Sequence, residues 1–401
     1  MFGKNLITGI DIGTGFIKIL TVEKRKKIAE PELFKLYQIN SSGLRKGTVI
    51  NVDQVSENLS SALEELYNSS HLRINSAIVN ISGSHIFCTA SRGVIAVSRA
   101  DQKVSQEDVD RVIQAAQTFP LPSNKETLDI IAKDFIIDGE KGIKEPVGMR
   151  GIRLEVEILA LCGFSPYIKN LTASILNTGI HIQDIFVSPI ASSRSVLTPR
   201  QKELGVVLLD IGAGTTGLAV FEEGELIHTA ILPIGSGHIT NDIAVGLKCD
   251  IDTAERLKLE HGSCIPLAGK KKEKFRKPGE EEPVVFSSKM LGKIIAARTL
   301  EIFDLANKEL KKISRQGKLP SGIVLTGGGA KLAKIKELAK KELKLPCKIG
   351  YPQGITGLEE DPSFSLVAGL VLCGLEPEGE RFTSGDGFSA KIKRVFRIFI
   401  P

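Results

Sequence analysis

Two short stretches of this 401-residue chain place a carboxylate just ahead of paired glycines: Asp11-Ile-Gly-Thr-Gly and Asp210-Ile-Gly-Ala-Gly. Glycine lets the backbone approach an anion with no Cβ in the way, so successive N–H groups can converge on a phosphate. Gly13, Thr14 and Gly15 supply this in the first copy; Gly212, Ala213 and Gly214 supply it in the second. The hydroxyls of Thr14, Thr215 and Thr216 add donors. Asp11 and Asp210 are placed to hold a hydrated Mg²⁺ beside the phosphates. One such turn alone would read as an ordinary hairpin with an Asp suited to turns. Two at matched positions reverse that judgement. Gly212, Gly214 and Gly217 also spell G-x-G-x-x-G, but a dinucleotide site needs a helix straight after the glycines, and GLAVFEEGELIHTAIL continues as strand. The sequence holds no G-x-x-x-x-G-K-[ST], which sets P-loop ATPases aside.

A third cluster, Gly327, Gly328 and Gly329 followed by Ala330 and Lys331, stands between an apolar strand and a helix predicted over 331–343. It offers a flat surface for a purine or ribose, with a helix N-terminus favouring anions. A tight strand–helix joint is the simpler alternative. Glu255 and Lys258, three apart, share one helix face. Asp252-x-x-Glu255 equally resembles a capping box, with Lys258 pairing Glu255.

The elements that must position these residues repeat. Each Asp-x-Gly-x-Gly centre lies between apolar runs that read as strand, tight turn, antiparallel strand, leading to more β structure and then a helix. The expectation is an α/β fold of two duplicated lobes with a cleft between them. About 84–164 breaks the rhythm with a helix over 106–117, a Pro-rich loop (FPLPSNKET) and alternating strands such as IRLEVEILAL, and reads as an inserted small α+β module. A long helix is predicted over 288–313, with an apolar stripe through Leu291, Ile294, Ile295, Ile302, Phe303 and Leu305. Residues 269–283 are a charge run, taken as a solvated loop. Residues 374–388 are Gly- and acid-rich and read as a flexible linker.

Composition excludes several classes. Lys and Arg number 53 against 47 Asp and Glu, and this +6 is spread too thinly to indicate nucleic acid. The six cysteines contain no C-x-x-C pair and read as buried free thiols in a reducing compartment. The N-terminus lacks a signal-peptide apolar region, and the most apolar late stretch, 365–375, is far short of the roughly 20 residues of a membrane span.

The two hairpins, the GGGAKL joint and the Ala-Glu-x-x-Lys helix, in this order, resemble the actin superfamily. Within it, GLRKGTVINVD (43–53), ISGSHI (81–86), GIKEPVGMRGIRLE (142–155), IASSRSVLT (190–198), KELGVVLLDIGAGTTGLAVF (202–221), HITNDIA (238–244) and ITGL (355–358) resemble the FtsA family of bacterial division proteins, nearly end to end. The resemblance implies an actin-like fold: a first lobe of 1–83, 165–200 and 345–375, an inserted subdomain of 84–164, and a second lobe of 201–344 whose small subdomain spans about 241–320. It implies ATP and Mg²⁺ between the lobes, on Asp11, Gly13, Thr14, Gly15, Lys18, Asp210, Gly212, Ala213, Gly214, Thr215, Thr216, Gly235, Gly237, Glu255, Lys258, Gly327, Gly328, Gly329 and Lys331. It also implies head-to-tail filaments at the division septum, on the cytoplasmic face of the membrane, and a tail peptide of the tubulin-like FtsZ bound by the small subdomain, where Arg298 matches an Arg facing the peptide. Other division proteins would meet the insert; no nucleic acid is expected. The connecting segment VSPIASS (187–193) offers Ser188 and Pro189 where hydrolysing relatives place a Glu or Gln, so tight binding with slow or negligible turnover is expected. A PilM-like pilus adaptor is the alternative, and a sugar or acetate kinase a weaker one.

The last segment, 389–401, is read as an amphipathic helix. Ile392, Val395, Phe396 and Phe399 fall at i, i+3, i+4 and i+7, with Lys391, Lys393, Arg394 and Arg397 on or beside the opposite face. Docking on its own body is one use of such a face; the cationic arc favours an anionic lipid surface. Four cations at ~1 kcal/mol each give weak binding for one chain, and a filament presenting many tails would hold far better.

Overall fold

The computed structural model describes residues 5–25, 30–266, 272–275 and 284–375. Of the linker expected over 374–388, Gly374 and Leu375 instead end helix Ser365–Leu375; its remainder, the segment 389–401 expected as a helix and most of the charge run lie outside the described residues.

Each lobe grows from its hairpin. In the first, Leu6–Ile12 pairs antiparallel with Phe16–Glu23, then Glu32–Asn40 adds on one side, and Ser76–Ile81 and His181–Val187 add in parallel on the other. In the second, Val206–Ile211, Thr216–Glu222, Glu225–Leu232, Ile323–Thr326 and Cys347–Ile349 take the same places and senses. The duplication seen in the sequence is therefore a duplication of topology. The stretch 345–375, expected in the first lobe, divides. Cys347–Ile349 follows helix Ile335–Leu343 and returns parallel to Ile323–Thr326, closing a strand–helix–strand crossover within the second lobe. Helix Ser365–Leu375 lies instead on the first hairpin, against Leu20 and Val22 through Val367, Ala368 and Val371.

Period decides the packing. Helix Val52–Ser70 buries Val55, Leu59, Ala62 and Leu66, one stripe at helical spacing, in the same core as Ile10, Ile12, Ile17 and Ile19. In the second lobe, helix Ser288–Lys312 sets Ile295, Ile302, Phe303, Ala306 and Leu310 with Val207, Leu209 and Ile211. Between the sheets runs helix Ser188–Val196. Helix Ser365–Leu375 crosses it at Gly369, where any Cβ would fall 1.9 Å from the Ala191 carbonyl oxygen.

The insert is an antiparallel sheet in the order Phe87–Ala96, Arg153–Phe164, Lys125–Ile137, Glu140–Ile143, covered by helix Gln106–Ala116. Lys125–Ile137 begins inside the expected Pro-rich loop. Strand Arg153–Phe164 is buried on both faces: Leu154, Val156 and Ile158 pack with Val109, Val112 and Ile113 of the helix, while Leu159 and Leu161 belong to the first-lobe core. That sharing ties the insert to the lobe. The six cysteines are free, as expected, but only Cys162, Cys264 and Cys373 are buried; Cys88, Cys249 and Cys347 are partly exposed. Among the described residues no helix is long and apolar enough to cross a membrane.

Candidate functional site

The two Asp-x-Gly-x-Gly turns close identically. The Gly13 N–H donates to the Phe16 carbonyl (3.1 Å) and the Gly212 N–H to the Thr215 carbonyl (2.9 Å). These two donors are consumed by the hairpins, which leaves the following residues to meet a ligand. The turns also touch each other: a Cβ on Gly15 would stand 2.9 Å from that of Ala213, and one on Gly214 would stand 2.6 Å from Thr14 Oγ1. Both glycines are thus required by turn-on-turn packing. Thr14 Oγ1 accepts from the Gly47 N–H (2.9 Å). A cleft of about 1380 Å³ opens over this junction.

Asp11 lies at its floor, 3% exposed. Its Oδ2 is 3.3 Å from Lys18 Nζ, while its Oδ1 is buried without a hydrogen-bond partner. Asp210 Oδ2 accepts from Ser192 Oγ at 2.5 Å, and its Oδ1 faces Gly327, where a Cβ would come within 2.4 Å. Burial raises both carboxyls above the ordinary range, Asp210 to about 6; Lys18 opposes this at both, and Asp11 adds to it at Asp210. Two carboxylates and one lysine leave a net negative hollow. An orphaned carboxylate oxygen, a second carboxylate and room for phosphate suit Mg²⁺, which takes one or two carboxylates and keeps its waters.

The remaining expected contacts separate into those facing the cleft and those that build it. Thr216 does not line it: the residue is fully buried and its hydroxyl donates to the Ile234 carbonyl at 2.8 Å, because it begins a strand whose alternation turns it inward. Gly235 does not line it either. Its Cβ position lies 2.5 Å from the Gly212 carbonyl oxygen, so glycine is needed there for close backbone packing. Gly237 lines the cleft but is also packed, on Ala213. In the third cluster Gly327 has φ +80 and Gly329 presses on Ile211, whereas Gly328 has nothing nearer than 4.0 Å and is the open one. The helix expected from 331 starts later. Gly328–Lys331 is a 3-10 turn, Lys334 is left-handed, and the α-helix begins at Ile335, so its N-terminus does not address the glycines. Lys331 Nζ is held 2.6 Å from Asp361.

Glu255 and Lys258 do pair, at 2.6 Å. Lys258 is buried, and its ammonium also reaches Thr240 Oγ1 (2.9 Å) and the Ser236 carbonyl (3.4 Å), so two of its contacts join helix Ile251–His261 to helix Ser236–Leu247. Glu255 keeps an exposed edge toward the cleft, which makes it the acceptor and Lys258 its anchor. The cap of this helix is Asp250, which accepts from the Thr253 N–H, rather than Asp252.

Residues 207–369 match the family model described as cell division protein FtsA, and residues 83–162 match the SHS2 domain inserted in FTSA. Over 393 residues the chain is 33% identical to the cell division protein FtsA of Pseudomonas aeruginosa, covering 96% of this chain and 94% of that one. The chain belongs to the FtsA family of cell division proteins. FtsA of Borreliella burgdorferi is 35% identical over 402 residues, covering 98% and 96% of the two chains; FtsA of Escherichia coli is 30% identical over 385 residues, covering 93% and 91%. The fold is that of actin-like proteins, as expected. A PilM–PilN type IV pilus biogenesis complex aligns with TM-score 0.68 at 17% identity over 92% of this chain and 99% of that one. An MreB of Spiroplasma citri bound to AMPPNP aligns with TM-score 0.55 at 15% identity, over 92% and 96%.

Several residues at this FtsA cleft escaped sequence reasoning. Asn80 accepts from the Ile12 N–H (2.7 Å) and donates to Ser188 Oγ (3.1 Å), fixing the strand that carries Asp11 to the connecting helix. Ser192 holds Asp210, and Asp361 holds Lys331. A polar Asn inside the apolar run Ser76–Ile81 was the available signal. Arg298, away from the cleft, is engaged within the chain: two nitrogens bond both Asp242 oxygens (2.6 and 2.8 Å) and a third bonds Glu301 (2.6 Å).

Proposed function

We propose that this chain binds ATP with Mg²⁺ in the cleft, polymerises head to tail on the inner face of the cytoplasmic membrane, and tethers FtsZ filaments there at the division septum, with later division proteins meeting the insert. The observation that carries this is the pair of facing hairpin turns with Asp11 and Asp210 beneath them, in a chain of the FtsA family. Asp11 and Asp210 would hold the metal, which would neutralise phosphate charge. Thr14, Gly15, Ala213, Gly214 and Thr215 would meet the phosphates, Glu255 a ribose hydroxyl, and Gly328 the base. An FtsZ tail peptide at Arg298 would compete with Asp242 and Glu301 for the guanidinium. Lys391, Ile392, Arg394, Val395, Phe396, Arg397 and Phe399 would meet the anionic membrane.

Liposome co-sedimentation tests the reading, with and without ATP, on the full chain and on one ending at Gly387. The full chain is expected to pellet and the shortened one to stay in solution. Equal pelleting of both removes the tail from the function. The fold likeness to the PilM–PilN complex supports a second reading, an adaptor for a membrane protein's N-terminal peptide. A pull-down with the FtsZ tail peptide separates the two.

A further inference from the structure

Where the insert meets the second lobe, three side chains from three elements form a line. Cys88, on insert strand Phe87–Ala96, places its Sγ 3.2 Å from Nδ1 of His228, on strand Glu225–Leu232. The other ring nitrogen, Nε2, lies 3.0 Å from Glu309 Oε2, on helix Ser288–Lys312. A thiol, an imidazole and an orienting carboxylate in hydrogen-bonded order are what activates a cysteine nucleophile. The ring's two nitrogens point opposite ways, so the three groups do not converge on a cation, and among the described residues no such group could hold a metal.

We propose that Cys88 is a nucleophilic thiol, activated by His228 and Glu309, and a site of covalent oxidation by hydroperoxides.

Cys88 is partly exposed, as such a role requires. Burial pushes its thiol up, but the hydrogen bond with His228 and the nearby charges of His228 and Lys133 outweigh it and hold the thiol below its ordinary value. His228 is half-buried, which favours the neutral ring, yet Cys88 and Glu309 raise it. Glu309 is in turn held low, against burial, by Lys312 and His228. The other thiols give the contrast: burial pushes Cys162 up, Cys264 to about 11 and Cys347 to about 12. In the reaction the Cys88 thiolate attacks one peroxide oxygen, the S–O bond forms and the O–O bond breaks. The departing hydroxide takes the Nδ1 proton and leaves as water (or as an alcohol from an alkyl hydroperoxide). The sulfur, oxidised by two electrons, becomes a sulfenic acid.

The test uses the full chain: iodoacetamide alkylation between pH 5.5 and 9, read cysteine by cysteine by mass spectrometry, and hydrogen peroxide followed by dimedone to trap sulfenic acid. Cys88 is expected to alkylate at pH 7 about tenfold faster than Cys162, Cys264 or Cys347, with its acid limb below the ordinary thiol value of about 8.5, and to carry the dimedone. His228→Asn should remove about tenfold of that rate and return the limb toward the free-thiol value; Glu309→Gln should act in the same direction with smaller effect. The proposal is overturned if Cys88 reacts no faster than Cys162, Cys264 and Cys347, if its limb stands at the free-thiol value, or if neither substitution moves it. Should His228→Asn fail to fold by circular dichroism, Glu309→Gln decides.

Discussion

Asp210 holds its carboxyl against Ser192 beside Asp11, and burial, with Asp11 adding to it, pushes the group up to about 6. A carboxyl raised above its unfolded value keeps its proton longer when folded, so stability should fall as pH climbs from about 4 to about 6 and level off above. Asp210→Asn can still accept from Ser192. It should be more stable at pH 7, by on the order of 2 kcal/mol, and lose that slope, as urea titrations at pH 4.5 and 7 would show. The same variant should lose at least about tenfold in Mg²⁺-dependent ATP affinity by calorimetry, one log unit or about 1.4 kcal/mol. A variant no more stable than the parent at pH 7 would mean the carboxyl ionises there without cost. The glycines divide just as sharply. Gly327→Ala meets Asp210 Oδ1 at 2.4 Å with φ +80 and should cost several kcal/mol, whereas Gly328→Ala meets nothing close and should melt like the parent while weakening nucleotide binding. Residue types alone located both Asp-x-Gly-x-Gly turns. They did not distinguish glycines that a ligand needs from glycines that a neighbouring backbone needs, as Gly235 and Gly237 show, because that depends on what stands opposite.

At the scale of elements, helix Gln106–Ala116 shows how much was legible and how packing completes it. Ser105 and Asp108 cap each other's backbone N–H groups, so the start is written locally, and the stripe through Val109, Val112 and Ile113 marks the buried face. Its seat is not written locally. Gly93, on a neighbouring strand, lies so close that a Cβ would stand 2.2 Å from the Val112 carbonyl oxygen and 2.5 Å from the Ala116 nitrogen. Gly93→Ala should therefore lift the helix, and hydrogen exchange should rise across 106–116 and the paired strands while the second lobe stays protected. Unchanged exchange in the insert would show that the helix can shift without loss. The glycine joint at 327–329 went the other way: the apolar pattern of Ile335–Leu343 announced a helix, but the left-handed Lys334 that delays it has no signature in residue type.

For the whole molecule, the cleft exists because two copies of one topology meet across helix Ser188–Val196 and bring their turns into contact. Ser188 occupies the connecting position and donates to the Ile81 carbonyl at 3.0 Å, while the nearby Asn80 amide is committed to Ile12 and Ser188. With no free carboxylate or amide at that connecting position among the described residues to orient water, ATP turnover should stay far below about 1 s⁻¹, measured as phosphate release with liposomes present. A rate near that value would require a water-positioning group elsewhere in the cleft. Under the proposed function assembly should matter more than turnover: a variant that cannot polymerise is expected to lose liposome binding although its tail is intact, since a single tail with four cations would bind weakly.

The chain's family, its duplicated hairpins and its place for an insert follow from sequence, because the turn glycines, the Asp before them and the period of the apolar residues act over a few positions. Tertiary structure decided what depends on distant partners: Asp11 Oδ1 left without a donor, Asp210 on Ser192, Lys258 spent between two helices, and Cys88 aligned with His228 and Glu309. The last three require residues distant in the chain to arrive within about 3 Å, and no local pattern encodes that approach.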